Sequence, residues 1–556
     1  MKHISSISGI ASYSTQYIAT AGYDNSIILW NALDGTPINK VNHDHLANQC
    51  SFSTDGKYLV SSSSDYSARI WVLPELRLKT VLYGHMDDVE MSQFSPDNKL
   101  VATCSRDKTI RVFDLEGNSL KVMHGHEADI ISISWSACGT SLISSSDDGT
   151  IRTWDVQQGK QVDCIDFGGV ETDTIALSCD GKIFAGDDDG RLTIIEGENT
   201  TQINAHKAGV KRVVWDESNQ KLISLSYDRS AIIWQLIDGT LVKQSQTALP
   251  SIVWPRSCTF LGSDKVAFVT FGSTYAVWDY VEDVWSTDHI EDSQSLNAVA
   301  SIDGNLYTVG DSGKLFKNGQ QLNDMSSLCN FLQPFGKYLL SGGQMGAIFD
   351  GKTGLVIHQH RSPLNCCTTF IRDSVQFALV GTYTGEGILF NLDENGTIQY
   401  YGTLSMHDNA IKGLASNGES IFSVCATGAA AYHEIQDFEV SKYLPDAHEK
   451  ISNACVDVGM QYASVSRDLK LTLWIDGQPH IYSSPHKNSI KCIACSEDER
   501  HIATGSYGGT VAIFDFVERK WVKLVKPTTS GISCITYCKK MKSFIASSYD
   551  GQVYYI

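Results

Sequence analysis

An all-β fold of repeated four-stranded sheets is predicted by three observations: a histidine at a fixed distance before an aromatic residue, an aspartate inside that interval, and short strand-like runs between turn residues. The histidine stands 28 residues before the aromatic in five places: His43 to Trp71, His85 to Phe113, His126 to Trp154, His206 to Trp234 and His486 to Phe514. The aspartate stands six residues before the aromatic, as Asp24 before Trp30, Asp65 before Trp71, Asp107 before Phe113, Asp148 before Trp154, Asp228 before Trp234 and Asp468 before Trp474. Two residues before that aspartate there is usually serine: Ser63, Ser105, Ser146, Ser226 and Ser466.

One period reads as four strands in succession. Ile130-Ile131-Ser132-Ile133-Ser134-Trp135 alternates with period two, and Cys138-Gly139 turns the chain. Ser141 to Ser145 is a second strand, Asp147-Asp148-Gly149 a second turn, and Thr150 to Trp154 a third strand. Gly159 then leads into a fourth, Gln161 to Cys164. Four antiparallel strands in about 40 residues make one propeller blade. Further copies end at Trp30, Trp71, Phe113, Trp234, Trp474 and Phe514, and weaker ones near Ile195, Trp278, Phe316, Phe349, Phe390, Tyr432 and Ile556, which fills the chain with fourteen.

Composition narrows the function. Hydrophobic residues make up 42% and charged residues 19%, a normal packed-domain balance. The formal net charge of −19 speaks against nucleic acid and anionic lipid as partners. No apolar run approaches the roughly 20 residues of a membrane helix. The start, Met1-Lys2-His3-Ile4-Ser5-Ser6, does not read as a signal peptide, so a cytoplasmic protein is expected. Fifteen cysteines, an odd number, then read as reduced thiols.

The His, Ser, Asp and Trp marks resemble those of the WD-repeat (WD40) family along essentially the whole chain. That resemblance implies two seven-bladed β-propellers in tandem, residues 1–290 and a more degenerate ring at 291–556, with the last blade lacking its outer strand. In the second ring Phe316, Phe349, Phe390 and Tyr432 stand for Trp, and Gly343 and Thr384 for the aspartate. The family also implies a hydrogen-bond network from indole to hydroxyl to imidazole to carboxylate. Carried over, it takes His126, Ser146, Asp148 and Trp154 as one set and His206, Ser226, Asp228 and Trp234 as another. His85, Ser105 and Asp107 form a third that ends at Phe113, which has no N–H, and His43, Asp65 and Trp71, then Asp468 and Trp474, belong to others. Thr103 or Ser144, four residues before the aspartate, is an alternative hydroxyl that the sequence leaves open.

A Ser–His–Asp set looks like a hydrolase triad, but a triad occurs once and this set recurs in at least five blades, which makes it structural. Cys492 and Cys495 sit three apart on a strand and face opposite sides, so they form no metal site. His43-Asp44-His45 and the turn Asp187-Asp188-Asp189 lack the further ligands that zinc or calcium needs. No cofactor, metal or catalytic residue is therefore expected. In this family the residue just before the marked aspartate points from one face toward the channel. These residues are Tyr23, Ser64, Arg106, Asp147, Asp188 and Tyr227 in the first ring, and Arg467, Tyr507 and Tyr549 in the second. Tyr and Arg are enriched at interaction hot spots. The expected function is a non-catalytic scaffold that docks proteins or peptides on propeller faces, with a basic partner residue over Asp147 and Asp188. Two rivals are a regulatory or sensor subunit for an ATPase partner in a signalling or defence complex, and an enzyme with its site in a channel mouth.

Overall fold

The computed structural model describes all 556 residues. Fifty-five strands form fourteen antiparallel sheets, thirteen of four strands and the last of three. Within each sheet every strand pairs with its successor in the chain. The chain divides into two compact units, Met1–Asp292 and Ser293–Ile556. In the first unit the inner strands of seven successive sheets touch in turn, and Ile7–Tyr13 meets Val253–Leu261 to close the ring. In the second unit Leu296–Ile302 and Ile532–Cys538 close a ring of seven in the same way. Each unit is thus a seven-bladed propeller.

Burial is deepest in the second strand of each blade and falls away toward the outer strand. Second strands such as Tyr58–Ser63, Ser141–Ser146 and Lys221–Ser226 end in small residues that are buried without exception. Wedge-shaped sheets converge there, and a Ser, Ala or Gly lets the backbones approach. Outer strands such as Lys160–Asp166 are mostly exposed and read as polar. Neighbouring blades share their apolar layers. Ala19, Ile27 and Leu29 of the first blade pack with Ala47, Leu59 and Trp71 of the second. Burial of that kind contributes roughly 25 cal/mol per Å² and is the main force closing each ring.

The turn between second and third strands is set by the marked aspartate. Asp65 Oδ1 accepts the Ser67 N–H at 3.0 Å, and Asp148 Oδ1 accepts the Thr150 N–H at 2.9 Å. The residue after the aspartate must then adopt a left-handed conformation: Asn25, Tyr66, Lys108, Arg229 and Leu469 all have φ between 63° and 66°. At Gly149, with φ of 75°, a Cβ would also lie 2.8 Å from the Gly169 backbone, so only glycine fits.

Two β-bulges recur. One follows the first residue of the inner strand, for example between Ala47 and Gln49, Ile130 and Ser132, and Val210 and Arg212. The other lies in the third strand directly before the marked aromatic, as before Trp71, Phe113, Trp154 and Trp234. In the eleventh blade this second bulge falls between Tyr432 and His433. The aromatic position there is His433, and the sequence reading of Tyr432 is one residue early.

Candidate binding site

Five blades carry the full four-residue network. In the second, His43 Nδ1 bonds Asp65 at 3.1 Å, His43 Nε2 bonds Ser61 Oγ at 2.7 Å, and the Trp71 indole donates to Ser61 at 2.8 Å. The fourth uses His126, Asp148, Ser144 and Trp154, and the sixth His206, Asp228, Ser224 and Trp234. The hydroxyl is the residue four before the aspartate, not two. Ser105, Ser146 and Ser226 are corrected out of the network: each accepts the N–H of the marked aspartate, Asp107, Asp148 or Asp228, and closes the turn. Register explains the choice. Trp154 lies opposite Leu142, one diagonal step from Ser144, whereas Ser146 sits a further step away at the strand end. In the third blade His85 bonds Asp107 and Thr103, and Phe113 has no N–H to extend the chain.

Two histidines of complete sets escaped the spacing rule. His3 bonds Asp24 and Thr20, beneath Trp30, and His448 bonds Asp468 and Ser464, beneath Trp474. His448 stands 26 residues before Trp474 because the hairpin from Ser452–Val458 to Gln461–Ser466 has a loop of only Gly459 and Met460. In every set the hydroxyl is fully buried and engaged, so none is an exposed nucleophile: Ser61, Thr103, Ser144, Ser224 and Ser464 are all 0% exposed.

The network polarises its members. Burial alone raises the Asp65 carboxyl, but the hydrogen bond and charge of His43 outweigh it and hold the group well below the usual carboxylate range. Burial pulls the His43 and His85 imidazoles down, against the opposing pull of Asp65 and Asp107. The eleventh blade departs from this pattern. His407 Nε2 and His433 Nε2 both bond Ser423 Oγ, at 2.8 and 3.0 Å, and Thr427 occupies the aspartate position. His407 Nδ1 is left buried without a partner. Thr427→Asp should supply that partner and stabilise the second ring by about 1–2 kcal/mol for one restored buried bond, raising its thermal midpoint by a few degrees. An unchanged or lower midpoint in a thermal melt would contradict this account of the blade.

The channel mouth of the first ring is built from two tiers of side chains. The upper tier is the residue before each marked aspartate, fixed because its N–H donates to a carbonyl just ahead of the inner strand. Tyr23 donates to Ser6, Ser64 to Leu46, Arg106 to Asp88, Asp147 to Asp129, Asp188 to Glu171 and Tyr227 to Gly209. The lower tier is the bulged residue of the inner strand, which the bulge re-aims. It includes Asn48, Glu90 and Lys211, to which the fifth blade adds Asp173. Sequence reasoning missed this tier, because a bulge leaves no mark in a period-two pattern.

These residues form an acidic cluster held by a few cations. Arg106 donates to Glu90 at 2.5 Å and to Asp129 at 2.7 Å. Lys211 bridges Asp173 and Asp188 and lies 4.8 Å from the centre of the Tyr227 ring. Arg256, across the channel, lies 3.7 Å from Glu90 and over the rings of Tyr23 and Trp254. Ser64 is buried against Asn48 and presents little surface. Asp188 is already ion-paired, so the sequence expectation of an acidic pair at Asp147 and Asp188 shifts to Asp147 with its neighbours. Asp147 Oδ1 is buried and has no hydrogen-bond partner. Burial pushes its carboxyl well above the ordinary range, reinforced by the charges of Asp173, Asp129 and Glu171. Burial likewise raises Asp173 to about 6 despite Lys211, whereas Lys211 outweighs burial at the more exposed Asp188 and lowers it.

In the second ring, described by itself, Arg467, Tyr507 and Tyr549 hold the same backbone position, donating to Ile451, Ser489 and Gly531. Tyr507 and Tyr549 stack with ring centres 6.1 Å apart.

Comparison with known proteins follows the repeats. The profile of the WD domain, G-beta repeat, matches residues 2–31, 35–72, 76–114, 117–155, 197–235 and 478–515. The chain is 28% identical over 203 residues to the transcriptional corepressor LEUNIG_HOMOLOG of Arabidopsis thaliana, covering 35% of this chain and 25% of that protein. It is 29% identical over 240 residues to the WD repeat-containing protein 26 homolog of the same plant, covering 40% and 38%. It is 24% identical over 234 residues to the target of rapamycin complex subunit wat1 of Schizosaccharomyces pombe, covering 40% and 74%. The chain thus spans well under half the length of the first two. The chain thus carries six matched WD40 repeats, five complete networks and fourteen successive blade sheets.

Proposed function

We propose that this protein is a non-catalytic scaffold whose first-ring channel mouth docks a basic segment of a partner protein. The observation that carries the reading is the surplus of carboxylates there: Arg106, Lys211 and Arg256 are each committed to Glu90, Asp129, Asp173 or Asp188, and Asp147 is left over. A rigid ring supports docking because its side chains are held in place before binding, so little ordering entropy is lost. The absence of catalysis is supported by the repeated Ser–His–Asp sets, whose hydroxyls are fully buried. A cytosolic setting accords with fifteen cysteines that are all unpaired thiols. Two of the similar proteins are named as a corepressor and as a subunit of a complex, which fits a role among other proteins.

The test is affinity purification of the full chain beside Asp147→Lys and Asp129→Lys, with far-UV circular dichroism to verify the fold. Partners that dock at the mouth should fall at least about ten-fold in yield, the effect of replacing an attracting charge by a repelling one at a partly desolvated site. Recovery of the same partners at the same yield would remove the mouth as a docking face.

A further inference from the structure

The Asp147 carboxyl stands between two ion-paired groups. On one side Arg106 holds Glu90 and Asp129, with Asp87 and Asp88 acting on the same group. On the other, Lys211 holds Asp173 and Asp188, with Glu171 beside them. Arg106 is the cation that acts on Asp147, and its hydrogen bonds go elsewhere. An ionised carboxylate whose Oδ1 is out of water and without a donor, with three carboxylates around it, is strongly disfavoured. Such a group keeps a proton until a cation arrives.

Resting on the docking reading above, we infer that the first-ring mouth takes a single alkylammonium or guanidinium side chain and expels one proton from Asp147 as it does so. The step balances: the neutral carboxylic acid gives its proton to solvent, and the resulting carboxylate pairs with the incoming cation. The net charge of the site is the same before and after binding, so the partner's charge enters without leaving an unpaired ion behind. Docking is then weaker in acid and stronger as pH rises toward neutrality, the opposite of a site that binds through a protonated histidine. The charges that act on Asp147 are Arg106 of the third blade, Glu171 and Asp173 of the fifth, and Asp129 of its own blade, and these are held in turn by Glu90, Lys211 and, through Lys211, Asp188.

The experiment is isothermal titration of the full chain with acetyl-Gly-Gly-Lys-Gly-Gly-amide, and with the norleucine peptide as control, at several pH values and in two buffers of different ionisation enthalpy. Binding of the lysine peptide alone, with release of about one proton and an affinity that climbs up to about ten-fold per pH unit in acid, is expected. Asp147→Asn, which mimics the protonated form, should bind at least about ten-fold more weakly and release no proton. Difference infrared spectroscopy should show a protonated-carboxyl band that disappears on binding and is missing from Asp147→Asn. Lysine-specific binding with no proton release and a flat pH profile would overturn the proton coupling while leaving the docking reading intact. If the lysine peptide fails to bind, or norleucine binds equally well, both fall.

Discussion

Asp148→Ala should lower the thermal midpoint of the first ring by on the order of 10 °C. The carboxylate is 8% exposed and accepts five hydrogen bonds, from His126 Nδ1, the Glu127 N–H, the Thr150 N–H, the Thr150 hydroxyl and, at 3.5 Å, the Arg152 guanidinium. Its removal leaves a buried imidazole without its acceptor and unpins both the approach to the inner strand and the turn into the third strand. Breaking a buried network of this kind costs about 3–5 kcal/mol, and a domain of this size loses roughly 2–4 °C per kcal/mol. The control is Asp189→Ala, at the corresponding position of the fifth blade. Asp189 is 60% exposed and pairs with Arg191 at the surface, so its loss should cost no more than about 1 kcal/mol and move the midpoint by no more than about 4 °C. Equal shifts for the two variants in calorimetry would mean that the network does not stiffen the blade.

The same network shows how far the sequence could be read. His43, His85, His126, His206 and His486 announce themselves because the hairpin between first and second strands is one length in those blades, and a fixed loop becomes a fixed spacing. Where the loop shortens, as at Gly459 and Met460, the histidine is still present in space but lost to a spacing rule. The hydroxyl was ambiguous for another reason. Ser144 and Ser146 are identical in kind and two apart, on one face of one strand, and only the register with Trp154 separates them. Substitution makes the difference measurable: Ser144→Ala orphans both His126 Nε2 and the Trp154 indole, whereas Ser146→Ala removes one acceptor at a turn.

The mouth was half legible. Its upper tier follows directly from the position of the marked aspartate, so Tyr23, Arg106, Asp147, Asp188 and Tyr227 could be named from the chain. Its lower tier depends on the bulge, a geometric event that any residue tolerates, and Glu90 and Lys211 gave no signal of facing the axis. Their charges decide which upper-tier acids are already satisfied. Without them Asp147 and Asp188 looked alike as docking acids; with them Asp188 is paired to Lys211 and Asp147 is left over.

Acid should unfold the second ring before the first. His407, His433 and His486 are each pushed down to about 4 by burial, and none has an aspartate at the marked position of its blade: Thr427 and Gly508 stand there. An unfolded histidine titrates near 6.5. Between pH 6.5 and 4 the unfolded chain therefore takes up protons that the folded ring refuses, and stability falls as pH falls through that window. Three such groups together cost several kcal/mol at the lower end, a drop on the order of 10 °C or more. In the first ring the lowered His43 and His85 act in the same direction, but Asp129, Asp147 and Asp173 act against them. Their carboxyls are raised, so the folded ring holds protons that the unfolded chain would shed, and that contribution grows as pH falls toward the ordinary carboxylate range. Hydrogen exchange read strand by strand at pH 7 and at pH 4.5 distinguishes the rings. Strands such as Ser420–Cys425 and His501–Ser506 should lose protection while Ser141–Ser146 keeps it; parallel loss in both rings would show that the imidazoles without aspartate partners are not what acid attacks.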